Sequence, residues 1–442
     1  MKIQSLVGGF IVFLLFVITP AIGFSQISST ASSVVPTEYG GGAQDNIHVF
    51  CGQKGQTNAA LTATNANGLP ATFEWLKYDP VTGNFNPYMS DASGAATSVI
   101  TNLSDGAYRV NITTTAGVQT YTAWVFNNYI ETTAAITNSD CNSFTLAGTS
   151  DTPALVYYDL TNRQAKTLAK NPQVSWTTGN ESVGQFLTNQ VFSPPTKDTE
   201  YTLKVTDRFG CSSSSMVQYV SIVTKASFTA EIVETKSHPT KKEAPLTVTF
   251  RNTSENGDKD KFHWFIYKSS EELSKERAAS PNTPLDSIME HLYVESPTYI
   301  FERPGTYNVK LVSQKTSASN TCYDTVYIDQ LIKIDTSFIE APNFFTPGNN
   351  DQVNDQFIVR FFSMKSVKIS IFNRWGKVVH VWESNDVKGF GPTIASIPQA
   401  VWDGKVGGKL ATPGVYYYVV EGRGRDDKKR QATGFFHLFR DK

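Results

Sequence analysis

Runs of five or six residues in which apolar and polar side chains alternate, each cut off by a turn containing Gly, Pro or Asn, leave this chain few folds to choose from. The pattern is clearest in the last hundred residues. Val367, Ile369 and Ile371 alternate with Lys368, Ser370 and Phe372, which is the period of a half-buried strand. Asn373-Arg374-Trp375-Gly376 then reads as a hairpin turn, with Gly376 free to take a positive φ, and residues 377–382 as the returning strand. Trp402-Asp403-Gly404 is a second turn. Pro413-Gly414 is a third, ahead of strand 415–420, and 434–439 forms the last strand. About six to eight short strands in about a hundred residues predict one small antiparallel sandwich. In 415–420 and 435–439 both faces are apolar or aromatic. A two-layer sandwich therefore leaves one face to be covered, by a partner protein or by a neighbouring domain.

The same texture runs upstream. Helix-favouring runs are rare while Ser, Thr, Asn, Gly and aromatics abound, so the chain reads as all-β, a tandem array of Ig-like sandwiches. Its 442 residues leave room for three or four domains. A first is expected over 26–133 and a second over 134–224, related by an internal repeat. Tyr108-Arg109-Val110-Asn111-Ile112 followed by Gly117 matches Tyr201-Thr202-Leu203-Lys204-Val205 followed by Gly210. Cys51 and Cys141 stand at the starts of their domains, but only the second repeat has a late cysteine, Cys211. In an exported protein this predicts a Cys141–Cys211 bridge within the second sandwich, stabilising it by roughly 4 kcal/mol and leaving the partners of Cys51 and Cys322 open.

A third domain is expected over 225–336. Pro245-Leu246-Thr247-Val248-Thr249-Phe250, Phe262-His263-Trp264-Phe265 and Pro304-Gly305-Thr306-Tyr307 resemble the polycystic-kidney-disease (PKD) type of Ig-like sandwich. The Asp-Phe-Gly-Asp-Gly turn of that type is replaced by a charged insertion over 269–292. Its opening, Ser269-Ser270-Glu271-Glu272, has the form of a helix capping box and predicts one short helix.

At the other end, Lys2, an apolar run over 6–18 and small residues leading to Ser25/Gln26 read as a signal peptide over 1–25. The run is too short to span a bilayer, and no later stretch approaches a transmembrane helix. A formal net charge of −1 gives no argument for nucleic acid. From Pro342 onward, however, fifteen Lys/Arg face nine Asp/Glu. The six histidines are scattered, no metal-ligand or nucleophile motif occurs, and pairs such as Asp426-Asp427 or Asp258/Asp260 sit in turn-like stretches. The chain reads as a non-enzyme without a cofactor or metal. The Asn349 to Asp355 loop lacks the ligand spacing of a calcium loop.

Five motifs in order carry a further reading. Phe345-Thr346-Pro347, a loop ending Asn354-Asp355, Phe372-Asn373-Arg374-Trp375-Gly376, Trp402-Asp403-Gly404 and Pro413-Gly414-Val415-Tyr416 precede a terminal apolar strand. The region 337–442 thereby resembles the gliding-motility-associated C-terminal domain, the type B sorting domain of the Bacteroidota type IX secretion system. It departs from that pattern at Gln352, where Gly is usual, in a loop one residue longer, and in an insertion over 388–400. The resemblance implies that these motif residues serve sorting and partner binding. It also implies export through the outer-membrane type IX translocon, with the chain held at the cell surface beside a PorP/SprF-like outer-membrane protein and associated with gliding motility or adhesion. An accessory subunit that stays docked on the translocon is the alternative. A surface-glycan binder using Trp75, Tyr78, Phe85 and Tyr88 is a further one.

Overall fold

The computed structural model describes residues 26–40, 42, 44–233, 242–347, 354–385, 387 and 401–440. The expected signal peptide, the insertion over 388–400 and most of the 349–355 loop lie outside them. The described residues are β throughout apart from one helix. They group into two compact units.

The first unit takes in the described part of Met1–Asn138 together with Thr145–Val191 and Glu200–Tyr219. Its N-terminal sandwich faces a three-stranded sheet against a six-stranded one, which runs in the order Ser33–Pro36, Asn46–Cys51, Gly117–Asn128, Gly106–Thr114, Thr72–Asp79, Asn84–Asp91. The strand Asn46–Cys51 pairs parallel with Gly117–Asn128, so Cys51 lies opposite Asn128. Leu61, Phe73, Trp75, Tyr108 and Val110 fill the space between the sheets. Farther along, Glu131–Thr137 pairs with Ser143–Asp151, and Gln173–Thr178 with Thr199–Thr206, burying Leu146, Trp176 and Leu203.

In the second unit a sandwich is built from a three-stranded sheet (Phe228–Ile232, Leu246–Asn252, Thr298–Phe301) and a four-stranded one (Ile288–Leu292, Phe262–Tyr267, Val309–Thr316, Thr321–Tyr327). Phe250, Trp264, Phe301 and Leu311 are its innermost side chains. The expected helix is present at Ser270–Ala279, and the Ser269 hydroxyl accepts from the Glu272 amide at 3.1 Å. No helix residue is buried. What holds the helix is polar: the Glu271 carboxylate accepts from the amide and hydroxyl of Thr306 at 3.0 and 3.2 Å. The carboxylates Asp258, Asp260, Asp426 and Asp427 do serve turns. Asp258 accepts from the Thr316 amide at 2.7 Å, Asp426 from Ser337 at 2.7 Å, and Asp260 and Asp427 both take φ of 61°.

The cysteines correct the expected pairing. The bridges are Cys51–Cys211 and Cys141–Cys322, so Cys141 and Cys211 are not joined to each other. Position explains this. Cys51 ends a strand beside Asn128, just before Glu131 starts the next strand, and the Asn128 side-chain amide donates to the carboxylate of Asp207, four residues before Cys211, at 2.5 Å. Cys141 sits in the turn between Glu131–Thr137 and Ser143–Asp151, where its neighbour Ser139 accepts from Asn320 at 3.2 Å, beside the strand that carries Cys322. Cys51–Cys211 thus lies within the first unit and Cys141–Cys322 within the second, and neither closes the sandwich expected over 134–224.

Candidate partner-binding site

The C-terminal domain is organised by a five-stranded sheet in the order Phe344–Phe345, Lys429–Leu438, Gly414–Gly424, Met364–Phe372, Val378–Ser384. The first pair is parallel and the others are antiparallel. Because strand side chains alternate, each strand sends one set inward and the other outward. Inward go Phe345, Phe436, Leu438, Tyr416, Val420, Ile369, Ile371 and Trp382, which pack with Phe357 and Trp402 into one core.

Several motif residues belong to that core. Phe345, Trp402 and Tyr416 are buried, with ring centroids 5.4 Å apart for Phe345–Trp402 and 5.2 Å for Trp402–Tyr416. Pro347 is buried as well, and a Cβ on Gly404 would stand 2.8 Å from its ring. The Trp402-Asp403-Gly404 turn is closed by Trp402 Nε1 donating to the Lys405 carbonyl at 2.9 Å and by the Lys405 amide donating to Asp403 at 2.9 Å. The Thr346 amide donates to the Asn354 carbonyl at 2.7 Å, with Asn354 at φ 55° and Asp355 half-buried beside it. These residues build the domain.

Pro413-Gly414-Val415-Tyr416 has a second meaning that the sequence reading missed. The Tyr416 hydroxyl donates to the Thr412 carbonyl at 2.9 Å, four residues back. Tyr108 does the same to Ser104 at 2.9 Å, and Tyr307 to Arg303 at 2.8 Å. In each case a glycine two residues before the tyrosine (Gly106, Gly305, Gly414) takes φ between 140° and 154°. The recurring Gly-x-Tyr is the visible signal of this tyrosine corner. Tyr416→Phe is expected to lower stability by about 1 kcal/mol, as a neutral hydrogen bond lost from a half-buried carbonyl does, measured by denaturant unfolding.

The remaining motif residues face solvent. In the Asn373–Gly376 turn the Asn373 side chain accepts from the amides of Trp375 and Lys377 at 3.1 and 3.0 Å, and Gly376 takes φ of 77°. Trp375 is 71% exposed, with the Arg374 guanidinium 4.2 Å from its ring. The outward face of the sheet is apolar at one end, in agreement with the two-faced pattern of strands 415–420 and 435–439. Across it, Phe344, His437 and Val415 share one register row, and Phe435, Tyr417 and Phe372 the next. Phe344, Tyr417, Phe435 and Phe439 are exposed, Phe435 at 57%. His437 is edge-on to Phe435 at 5.8 Å and stacked on Phe439 at 5.6 Å. Toward the other end of the same face Val419, Ser370 and Val381 give way to Glu421 and to a Lys368–Glu383 pair at 3.4 Å.

The four aromatics considered for glycan form no surface. Trp75 and Tyr78 are buried, Phe85 lies under the Arg109 guanidinium at 3.6 Å, and only Tyr88 is exposed. Among the described residues no three His, Cys, Asp or Glu side chains come together as a metal site, and no helix is long and apolar enough to cross a membrane.

Residues 339–438 match the family described as the CHU_C type IX secretion signal domain. A domain of this kind marks its chain for export by the type IX secretion system and for association with the cell surface. No curated protein matches the chain. Similar solved structures include a tetra-tandem repeat from the extending region of a large adhesion protein, at 13% identity over 87% of this chain and 96% of that one, with a TM-score of 0.28. Two others are the three N-terminal domains of the bacteriophage RB49 outer capsid protein Hoc (14%; 61% and 92%; 0.22) and the titin domains I67–I69 (11%; 69% and 97%; 0.28).

Proposed function

We propose that this chain is a non-catalytic surface protein of the type IX pathway, held at the outer membrane through the outward face of its C-terminal sheet. The observation that carries the proposal is the apolar end of that face, where Phe344, Tyr417, Phe435 and Phe439 stand exposed around His437. Burying large apolar side chains stabilises a contact by roughly 25 cal/mol per Å², and such patches mark protein interfaces. The occupant is a PorP/SprF-like outer-membrane protein, and the Arg374/Trp375 turn is a second point of contact. The upstream sandwiches are the displayed part, serving adhesion or gliding motility.

Tagged full-length protein purified from outer membranes of its host is expected to bring down a small barrel protein of that kind. Replacing Tyr417 and Phe435 together by Thr is expected to reduce that recovery about tenfold or more while leaving the melting temperature close to wild type, because both side chains point away from the core and Thr suits a strand. Undiminished recovery would remove the sheet face from the proposal. Recovery at near one-to-one with the giant translocon pore would instead make the chain a standing subunit of the machine.

A further inference from the structure

The four-stranded sheet in the second unit also has an outward face, and its composition is unusual. By strand alternation the inward side chains of Phe262–Tyr267 are Phe262, Trp264 and Ile266, all buried, which turns His263, Phe265 and Tyr267 outward. Register then sets His291 and Lys310 on either side of Phe265, with Tyr327 opposite Lys310 on the last strand. The His291 ring stacks on Phe265 with centroids 4.1 Å apart and meets Tyr293 at 4.2 Å. Tyr293 Oη and His291 Nδ1 are hydrogen-bonded at 3.0 Å. Lys310 Nζ lies 4.2 Å from the Phe265 centroid, and Tyr327 stacks with Tyr267 at 6.4 Å. A continuous row, Tyr293, His291, Phe265, Lys310, Tyr327, thus crosses all four strands. Tyr293 is 59% and Tyr327 50% exposed.

We propose that this row is a binding platform for an acidic polysaccharide, one built of uronate sugars. Two properties select that ligand. Phe265 has His291 stacked on it and Lys310 Nζ over it, so the open aromatic faces are those of the exposed Tyr293 and Tyr327, whose slight negative charge attracts the C–H face of a pyranose ring. From the strand of His291 to that of Tyr327 is three spacings of about 4.8 Å, so Tyr293 beside His291 and Tyr327 at the other side stand about three sugar units apart. The second property is charge. The outward positions of these strands carry Lys310, His263 and His291 with Gln314, Thr325 and the tyrosine hydroxyls, and no Asp or Glu. Such a face holds no anion to repel a carboxylate, and Lys310 supplies a cation to attract one, an attraction that a neutral sugar does not have. The burial of His291, together with His263 and Lys310 beside it, holds its imidazole below the usual range, as an uncompensated positive neighbourhood does.

The platform is separate from the C-terminal face, so its test does not depend on how the chain is anchored. The full chain is run in native gels containing polygalacturonate, alginate or neutral xyloglucan. Retardation is expected in the two polyuronates and not in xyloglucan. Tyr293→Ala and Lys310→Gln are each expected to weaken apparent affinity about tenfold. Tyr293 lies beyond the strand end and is more than half exposed, so its truncation leaves the core intact; an unchanged thermal midpoint verifies this. No retardation by either polyuronate, retardation unchanged in both variants, or equal retardation in xyloglucan would each overturn the proposal.

Discussion

Pulled from its two ends in the oxidised state, the chain is expected to yield far less length between Cys51 and Cys322 than its sequence contains. The two bridges interleave, since Cys141 lies inside the loop closed by Cys51–Cys211 and Cys211 lies inside the loop closed by Cys141–Cys322. The shortest covalent route from Cys51 to Cys322 crosses the first bridge to Cys211, follows the backbone back to Cys141 and crosses the second bridge. That route is about 70 residues, or roughly 250 Å fully extended, against about 270 residues and roughly 980 Å once both bridges are reduced. The routes that use one bridge are longer: about 90 residues, roughly 320 Å, through Cys141–Cys322 alone, and about 110 residues, roughly 400 Å, through Cys51–Cys211 alone.

Each bridge is therefore a bypass for the other, and a non-additive result follows. Replacing either cysteine pair by Ser is expected to lengthen the release by no more than about 150 Å, while replacing both adds roughly 720 Å. A Cys141–Cys211 bridge would instead release about 200 residues, roughly 720 Å, in the oxidised chain. Force spectroscopy with and without reductant separates these cases, and a release near 720 Å would restore the single-sandwich pairing. The chain-entropy estimate for a loop of either size is about 5 kcal/mol. Because the loops overlap they constrain the same unfolded segment, so the second bridge adds less than the first. For a protein displayed on a cell surface, this connectivity keeps the modules between Cys51 and Cys322 from being drawn out to full length.

That pairing was beyond the reach of the sequence for a physical reason. Strand period and turn chemistry are local, so Val367 to Phe372, the Asn373–Gly376 turn and the Ser269 cap were all legible. Disulfides depend on which module ends meet, and nothing in the spacing of Cys141 and Cys211 records that Cys51 sits beside Asn128 at a junction. The candidate site divides the same way. Strands 415–420 and 435–439 announce an uncovered face because both of their sides are apolar. In contrast, Phe345, Trp402 and Tyr416 look alike in sequence whether they anchor a core or meet a partner, and only burial separates the two roles. The Gly-x-Tyr corner shows how a motif can be over-read. Its occurrence at Tyr108 and Tyr307, outside the C-terminal domain, makes it a device of sandwich construction wherever it appears.

Acidification from pH 7 to 4 is expected to weaken the N-terminal sandwich through one side chain, His48. It lies on Asn46–Cys51, a strand paired on both sides, and shares a face with the core residue Phe50. Its Nδ1 is 2.7 Å from the Ser29 hydroxyl, and its Nε2 is buried with no hydrogen-bond partner among the described residues. A proton there would place a charge out of water with nothing to balance it, and burial holds the imidazole down at about 4 from an ordinary value of 6.5. The unfolded chain takes up its proton near pH 6.5 while the folded chain refuses it until about pH 4. The stabilising effect of the neutral ring is thus complete above 6.5, falls as pH drops through that window, and is gone below about 4. The loss comes to about 3 kcal/mol. His48→Asn keeps a polar group for Ser29 and removes the titration, so its stability should vary less between pH 7 and 4 by about that amount, measured by urea unfolding at each pH. Parallel curves for the two proteins would show that the buried imidazole accepts its proton without cost, and that the acid sensitivity of this sandwich lies in its carboxylates.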